Sequence, residues 1–192
     1  MTVVALVLAA GQGSRFGSDK RRACLADGRS LLQHSVARAL AVFDEVRVVL
    51  RPGETAAQLG LPDSCRVVIG TQAMLGMGHS LAAGVASLAD SPAQAVAIVL
   101  GDMPWIQQNT LRELLALANP GAIVVARHQG RNGHPVLFGR ELWPALARLA
   151  GDEGARSVLQ RYPERVRVLQ TEDAGVLQDV DTPGALDSVT SA

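Results

Sequence analysis

Apolar residues fall in short, continuous runs along the chain, and most of these runs are rich in valine. Six runs have the length of a β-strand: residues 3–8, 46–50, 66–69, 95–100, 122–126 and 166–169. Continuous rather than alternating hydrophobicity is typical of strands that are buried on both faces, as in a parallel sheet. The pattern therefore predicts a largely parallel sheet at the centre of the molecule.

Segments with helical periodicity lie between these runs. Residues 31–42, 81–88 and 111–117 repeat apolar side chains at the spacing of one helix face. Alternating strands and helices predict right-handed crossovers within a single α/β domain over residues 1–192. Residues 127–139 are richer in glycine and polar side chains, and we expect them to form a loop or hairpin over the sheet.

The composition narrows the classes of protein to be considered. The chain carries no formal net charge, so electrostatics gives no reason to expect nucleic acid or an anionic membrane as a partner. Two cysteines, Cys24 and Cys65, are too few for a disulfide framework and fit a reducing compartment. No apolar stretch reaches the roughly 18 residues of a membrane span, and no signal-peptide pattern is present. We therefore expect a soluble, cytoplasmic protein.

Lysine is almost absent from the chain. Of the 18 basic residues 17 are arginine, and Lys20 is the exception. It lies beside a glycine-rich loop that follows the first predicted strand. A planar guanidinium does not replace a compact ammonium on a flexible stem, so this position indicates a functional demand. Chance in an arginine-rich composition is the alternative.

The loop at residues 9–20 is interpreted as a polyphosphate site. Its spacing, G-x-G-x-x-x-G, differs from that of dinucleotide-binding and Walker A loops. Its glycines still allow backbone N–H groups to approach an anion, and Arg15 and Lys20 add positive charge. Ligands of open α/β sheets bind beyond the carboxyl ends of the strands, where "GDMP" at residues 101–104 is also expected.

Two further aspartates could join that site. Asp102 ends a predicted buried strand, where a carboxylate is costly unless it is paired or binds a cation such as Mg²⁺. A turn cap is the alternative reading of Asp102. Asp179 and Asp181 would face one side of an extended strand and could complete a metal site. Asp181 is alternatively an N-cap, because Pro183 could open a helix after it.

Several motifs together resemble the nucleotidyltransferases that are related to the molybdenum-cofactor enzymes. "LAAGQGSRFGSDK" is similar to their signature loop, L-A-[AG]-G-x-[GS]-x-R-M-G-x-x-K, and "GDMP" resembles their metal-binding motif. "NGHPVLFGRELW", "GDEGARSVL" and "DVDTPGAL" resemble later motifs of the cytidylyltransferase branch. The resemblance implies a Rossmann-like, three-layer fold with a mostly parallel mixed sheet of about seven strands. It also implies Mg²⁺-dependent transfer of a nucleoside monophosphate from a triphosphate, with release of pyrophosphate.

The resemblance also implies roles for individual residues. Lys20 and Arg15 would stabilise the charge on the α-phosphate and the leaving pyrophosphate, with Asp102 as the third catalytic residue. Asp102 and Asp181, the aspartate of "DTP", would hold Mg²⁺. The residues expected to bind the nucleotide are Leu8, Ala9, Ala10, Gly11, Gly13, Arg15, Lys20 and Ser80.

Three residues are expected to contact the acceptor: His134, Asp152 and Arg156. A phosphate nucleophile is largely ionised at neutral pH, since its second pKa is near 6, and it needs no general base. His134 is therefore expected to hold the acceptor or to order the hairpin. Asp152 and Arg156 are alternatively a capped helix start.

The base and the acceptor are predicted by analogy alone. Ala10, the second alanine of "LAAG", is typical of the cytidine-using branch and favours CTP. The phosphorylated acceptor would be the pterin of the molybdenum cofactor, and a molybdenum enzyme or its chaperone is a candidate partner. Phe16, Arg21 and Arg22 depart from the family pattern, which puts the acceptor in question more than the reaction.

Other functions fit parts of the same pattern. A guanylyltransferase, a sugar-phosphate nucleotidyltransferase or a methylerythritol-phosphate cytidylyltransferase would share the chemistry but use another base or acceptor. A non-catalytic nucleotide-binding partner would share only the fold, and the joint presence of Arg15, Lys20 and Asp102 argues against it. The glycine spacing disfavours an NAD-dependent dehydrogenase.

Overall fold

The computed structural model describes residues 1–11 and 19–180, and these ranges contain one seven-stranded sheet. The strands are β1 (Val3–Leu8), β2 (Glu45–Leu50), β3 (Cys65–Ile69), β4 (Ala95–Leu100), β5 (Ile123–His128), β6 (Arg131–Gly139) and β7 (Val166–Gln170). Their spatial order is β3-β2-β1-β4-β6-β5-β7. Every neighbouring pair is parallel except those made by β6, which runs antiparallel to β4 and β5. The predicted mostly parallel mixed sheet is confirmed.

Helices cover both faces of this sheet. They are α1 (Leu31–Leu40), α2 (Met77–Ala86), α3 (Gln108–Leu117), α4 (Trp143–Leu146) and α5 (Arg156–Arg161). In β1, Ala5 and Val7 pack into the apolar cluster that includes α1 and α3. Val4 and Leu6 pack into the opposite cluster with α2, α4 and α5. Successive residues of a strand face opposite sides, so the continuous apolar runs serve two cores and the fold has three layers.

The helices begin at positions that local chemistry explains in part. Helix α1 starts where predicted because Ser30 and Gln33 form a capping box: the Ser30 hydroxyl accepts from the Gln33 amide at 3.2 Å, and the Ser30 amide donates to Gln33 Oε1 at 2.7 Å. Helices α2 and α3 begin four and three residues earlier than the apolar periodicity predicts. Among the helices of the described ranges, none is long and apolar enough to cross a lipid bilayer.

The prediction of a loop or hairpin over the sheet at residues 127–139 is wrong in its placement. These residues do form a hairpin with β5, but β6 lies inside the sheet between β4 and β5. The β4 ladder stops at Val136, and the pairing with β5 shifts between Val125 and Arg127. Pro135 therefore falls at an irregularity in the ladder, where the missing N–H of a proline is tolerated.

Candidate active site

The carboxyl ends of β1 and β4 lie side by side because the two strands are parallel neighbours, with Leu8 opposite Leu100. The residues that follow them are held together by a hydrogen bond from the Gly101 amide to the Leu8 carbonyl oxygen, 3.1 Å long. A Cβ at Gly101 would lie 3.0 Å from Leu32 Cδ1 and 3.1 Å from the Leu8 oxygen. Glycine therefore allows the two predicted ligand loops to meet at one edge of the sheet.

A cavity of about 410 Å³ opens at this edge, a volume in the range of small-molecule sites. The cavity is lined by residues 8–11, 19–21 and 100–102, and also by Met74, Met77, Ser80 and Asp152. The cavity thus brings the predicted phosphate loop and the "GDMP" motif into one site.

Lys20 and Asp102 form an ion pair within this cavity. Lys20 Nζ lies 2.8 Å from Asp102 Oδ2, and the two side chains are 11 % and 29 % exposed. The ammonium compensates a carboxylate that would otherwise be costly at the end of a buried strand. A positively charged ammonium and a hard oxygen ligand therefore lie next to each other in the lining of the cavity.

The part of the cavity wall that contains Gly76 and Asp152 is held by close backbone packing. Gly76, at the start of α2, has a φ of +125°, and a Cβ there would lie 2.1 Å from the Gly151 carbonyl oxygen. The Gly78 amide donates to that same oxygen at 2.9 Å. This contact holds the turn before Asp152 against the helix, which places Asp152 at the cavity although it is far from the other lining residues in sequence.

His134 lies close to the charges of this site but does not line the cavity. Burial lowers the pKa of His134, while the charges of Asp102 and Asp179 act in the opposite direction. Within the described residues, its buried Nδ1 has no hydrogen-bond partner. The Val180 amide donates to the Asp102 carbonyl oxygen at 3.2 Å, so the chain approaches Asp102 immediately before Asp181.

Most of the predicted site residues that the structure describes converge. The cavity is lined by Leu8, Ala9, Ala10, Gly11, Lys20, Ser80, Asp102 and Asp152. Arg156, the first residue of α5, is exposed and does not line it. Gly13, Arg15 and Asp181 lie outside the described residues, so their predicted roles stay predictions. Within the described ranges, no group of three or more His, Cys, Asp or Glu side chains is placed to hold a metal ion.

Several residues at the cavity or next to it were not identified from the sequence, among them two methionines and an arginine–glutamate pair. Met74 and Met77 line the cavity, and both residues are exposed. Their sequence pattern, two methionines close to a glycine, does not distinguish residues of a cavity wall from residues of the hydrophobic core. Arg21 lines the cavity and forms an ion pair with the partly buried Glu54. Arg21 was noted only as a departure from the family pattern, and Glu54 carried no signal at all.

Comparisons with known proteins agree with this arrangement. Residues 5–166 match the model of the MobA-like NTP transferase domain. The chain is 31% identical over 200 residues to the purine catabolism protein PucB of Bacillus subtilis (strain 168), covering 99% of this chain and 97% of PucB. It is 32% identical over 191 residues to the nicotine blue oxidoreductase of Paenarthrobacter nicotinovorans, covering 94% and 92% of the two chains.

The fold also matches solved structures of Rv0371c from Mycobacterium tuberculosis H37Rv. One has a TM-score of 0.83 and 27% identity, covering 97% of this chain and 96% of that chain. Another, a complex with manganese, has a TM-score of 0.81 and 28% identity, covering 98% and 100%. Since the family model covers most of the chain, the chain belongs to the MobA-like NTP transferase family and is an enzyme of the nucleotidyltransferase class.

Proposed function

We propose that the enzyme transfers CMP from CTP to a phosphorylated acceptor, the molybdopterin of the molybdenum cofactor, and releases pyrophosphate. The observation that carries the proposal is the ion pair of Lys20 and Asp102, 2.8 Å long, in a cavity that residues 8–11 also line. Phosphoryl-type transfer depends on positioning and charge neutralisation more than on covalent catalysis. The Lys20 ammonium and the Asp102 carboxylate at the cavity supply both.

The reaction needs no proton transfer by the protein. An ionised oxygen of the acceptor phosphate attacks the α-phosphorus, the bond from that phosphorus to the bridging oxygen breaks, and pyrophosphate leaves with the electron pair. Lys20 moves from Asp102 to the phosphate oxygens and stabilises the charge that develops there. The same movement frees the Asp102 carboxylate. Arg15 is proposed to assist Lys20.

The residues of the site fit a magnesium ion that is shared with the substrate. Mg²⁺ takes one or two carboxylates and fills its other positions with water and substrate phosphates. Asp102 provides a partly exposed carboxylate oxygen, and we propose Asp181 as the second ligand because the chain reaches Asp102 at Val180. When bound, Mg²⁺ would neutralise charge on the triphosphate. The manganese complex of Rv0371c supports a divalent cation.

The two substrates are assigned to different parts of the site. Ala10 supports CTP by analogy with the cytidine-using branch, and residues 8–11 and 70–80 would select the base. Asp152, His134 and Arg156 are proposed to contact the acceptor, and Asp152 lines the cavity. The product would pass to a molybdenum enzyme or its chaperone in the cytoplasm.

Calorimetric titration of CTP, GTP, ATP and UTP, each with and without Mg²⁺, tests the proposal. We expect selective, Mg²⁺-dependent binding of CTP that Asp102→Ala weakens by about tenfold or more, because a charge-assisted contact is lost. The matched control is Asp90→Ala, an exposed aspartate outside the cavity, which should bind CTP like the wild type. Pyrophosphate release with molybdopterin under anaerobic conditions then tests the acceptor.

Three outcomes would redirect the assignment. Preference for GTP would indicate a guanylyltransferase, and CTP binding without pyrophosphate release from molybdopterin would indicate another phosphorylated acceptor. If CTP binds while Lys20→Ala and Asp102→Ala leave every activity unchanged, the chain is a non-catalytic nucleotide-binding protein.

The similarity to nicotine blue oxidoreductase supports a second candidate, an oxidoreductase that acts on nicotine blue. Loss of the colour of nicotine blue on incubation with the protein and NADH or NADPH, compared with a protein-free control, separates it from nucleotide transfer. Cofactor turnover without any binding of nucleoside triphosphates would overturn the transferase proposal in favour of this one.

A further inference from the structure

The guanidinium of Arg21 is buried between two carboxylates beside the cavity, and its side chain is 7 % exposed. It donates to Asp19 from Nε at 2.8 Å and from Nη2 at 2.7 Å. It also donates to Glu54 from Nη1 at 2.8 Å and from Nη2 at 2.5 Å. A further hydrogen bond of 2.7 Å runs from Nη1 to the Ala9 carbonyl oxygen. The planar fork of an arginine is thus used in full, in a geometry that lysine does not reproduce.

These contacts join three segments that are separate in sequence: the end of β1, the turn at residues 19–22 and the loop after β2. Arg51 strengthens the junction because its Nε donates to the Ala10 oxygen at 3.3 Å and its Nη2 donates to the Gly11 oxygen. The Arg51 amide donates to Glu54 Oε2 at 3.0 Å. Both ends of the glycine-rich loop are therefore tied to Glu54 through arginines.

The junction fixes the backbone from which Lys20 extends. Lys20 and Arg21 are consecutive residues of one 3₁₀ turn, Lys20–Arg22, in which successive side chains point about 120° apart. Arg21 extends to Glu54, and Lys20 extends into the cavity to Asp102. Because Arg21 is held at five points, the direction of its neighbour Lys20 is set by the same contacts.

We propose that Arg21, held by Glu54 and Asp19, is a positioning residue that directs the Lys20 ammonium to the phosphates of the bound nucleotide. The inference rests on the proposed function, since it assigns to Lys20 the role given above. Arg21 lines the cavity, but its guanidinium already donates to Asp19, Glu54 and the Ala9 oxygen, so it acts through Lys20.

The first test compares Arg21→Lys with Arg22→Lys in calorimetric binding of CTP with Mg²⁺. Arg22 is the adjacent arginine, but its side chain is 54 % exposed and its nearest approach to Asp19 is 3.6 Å. Both variants keep the charge of the chain. We expect binding to weaken roughly tenfold in Arg21→Lys, the scale of one misplaced charge-assisted hydrogen bond, and less than twofold in Arg22→Lys. Equal binding by wild type and a folded Arg21→Lys overturns the proposal.

A double-mutant cycle distinguishes positioning from a general structural role. If Arg21 acts through Lys20, Arg21→Lys should weaken binding by less than about threefold in a Lys20→Met background, because the two effects are not additive. The same tenfold loss in both backgrounds would show that Arg21 acts independently of Lys20. Thermal unfolding of all four proteins establishes that each is folded.

The second test needs no nucleotide, so it remains decisive if the proposed function fails. Lys20 is the only lysine in the chain, so labelling lysine with ¹³C at the ε carbon gives one ¹H–¹³C signal that reports its surroundings. We expect Glu54→Gln to shift this signal. Glu45→Gln, which alters the comparable ion pair of Glu45 with Arg47 at 2.7 Å, should leave it in place.

Failure of the proposed function and failure of the positioning role give different results. A wild type that binds no nucleoside triphosphate overturns the proposed function, and the ¹³C signal then decides the positioning role alone. An unmoved Lys20 signal in Glu54→Gln overturns the positioning role whatever the nucleotide experiments give.

Discussion

Asp19 and Glu54 share one arginine, and their protonation connects the site to the stability of the fold. Hydrogen bonds from the Arg21 side chain lower the pKa of Asp19 from its ordinary value of 3.8 and that of Glu54 from 4.5. Burial alone would lower the pKa of Arg21, but the hydrogen bonds that Arg21 donates to Glu54 and Asp19 outweigh burial and raise this pKa above its ordinary value. A carboxyl whose pKa is lower in the folded state stabilises the fold above its ordinary pKa. That contribution is lost as the pH falls through the lowered value.

We expect Glu54→Gln to lower the free energy of unfolding by about 1–3 kcal/mol at pH 7, because it removes charge-assisted hydrogen bonds to a buried arginine. The difference from wild type should shrink as the pH falls below 4.5, where Glu54 of the unfolded wild type is protonated. Urea unfolding at pH 7, 5 and 3 measures it. The exposed Glu153→Gln should differ by at most about 0.5 kcal/mol throughout. A Glu54→Gln difference that is constant with pH would contradict the linkage.

The pairing of Arg21 with Glu54 could not be predicted from the sequence. Lys20 was identified because it is the sole lysine beside a recognisable loop, and Asp102 because a carboxylate ends an apolar run. Glu54 lies 33 residues from Arg21, and no periodicity or motif connects the two. Their pairing exists only because β1 and β2 are parallel neighbours.

The elements divide into those with a local cause and those with a distant one. The strands of the parallel core follow from apolar runs, and α1 follows from its capping box. Helix α3 instead begins where a side chain 66 residues away caps it: Asp173 Oδ2 accepts from the Gln107 amide and from the Thr110 hydroxyl, each at 2.8 Å. Because the capping residue is distant in sequence, the residues around the start of α3 do not indicate where the helix begins. This explains why the predicted start was three residues too late. Strand β6 was misplaced because glycine and proline are typical of loops.

Asp173→Ala should destabilise the protein by about 2–3 kcal/mol, because it leaves the buried Thr110 hydroxyl and the Gln107 amide at the start of α3 without their acceptor. Asp173 also accepts from the Gly175 amide at 2.9 Å, so two turns lose their cap together. The neighbouring Glu172→Ala is the control, since Glu172 is exposed. Equal urea midpoints for the two variants would show that the cap carries no stability.

At the scale of the whole molecule, parallel strands collect loops that are distant in sequence at one edge. This rule predicted that the glycine-rich loop and "GDMP" would meet, and they do. The position of Asp152 in the cavity lining could not be deduced in the same way, because it depends on the contact between Gly76 and Gly151. Hydrophobic patterns define which faces are buried, whereas they carry no information about which turn lies against which helix.

A ligand that bridges several of these segments should stabilise the molecule as a unit. At a CTP concentration of about 100 times Kd with Mg²⁺, binding adds about 2.7 kcal/mol, which corresponds to a rise in Tm of roughly 5–10 °C for a chain of this size. Differential scanning fluorimetry measures the shift. EDTA should abolish it, and Asp102→Ala should lose it while Asp90→Ala keeps it. An equal rise with ATP and CTP would contradict selection of the cytosine base.

The position of β6 has a consequence for how the chain is made. β4 pairs with β6 and not with β5, so its outer edge stays open until Gly139, 39 residues after Leu100, has left the ribosome. At about 5–20 residues per second, this interval lasts roughly 2–8 seconds. Four parallel strands can already be assembled then, with an apolar edge that other nascent chains could join. We therefore expect the chain to be most prone to aggregation during its synthesis, before β6 pairs with the open edge of β4.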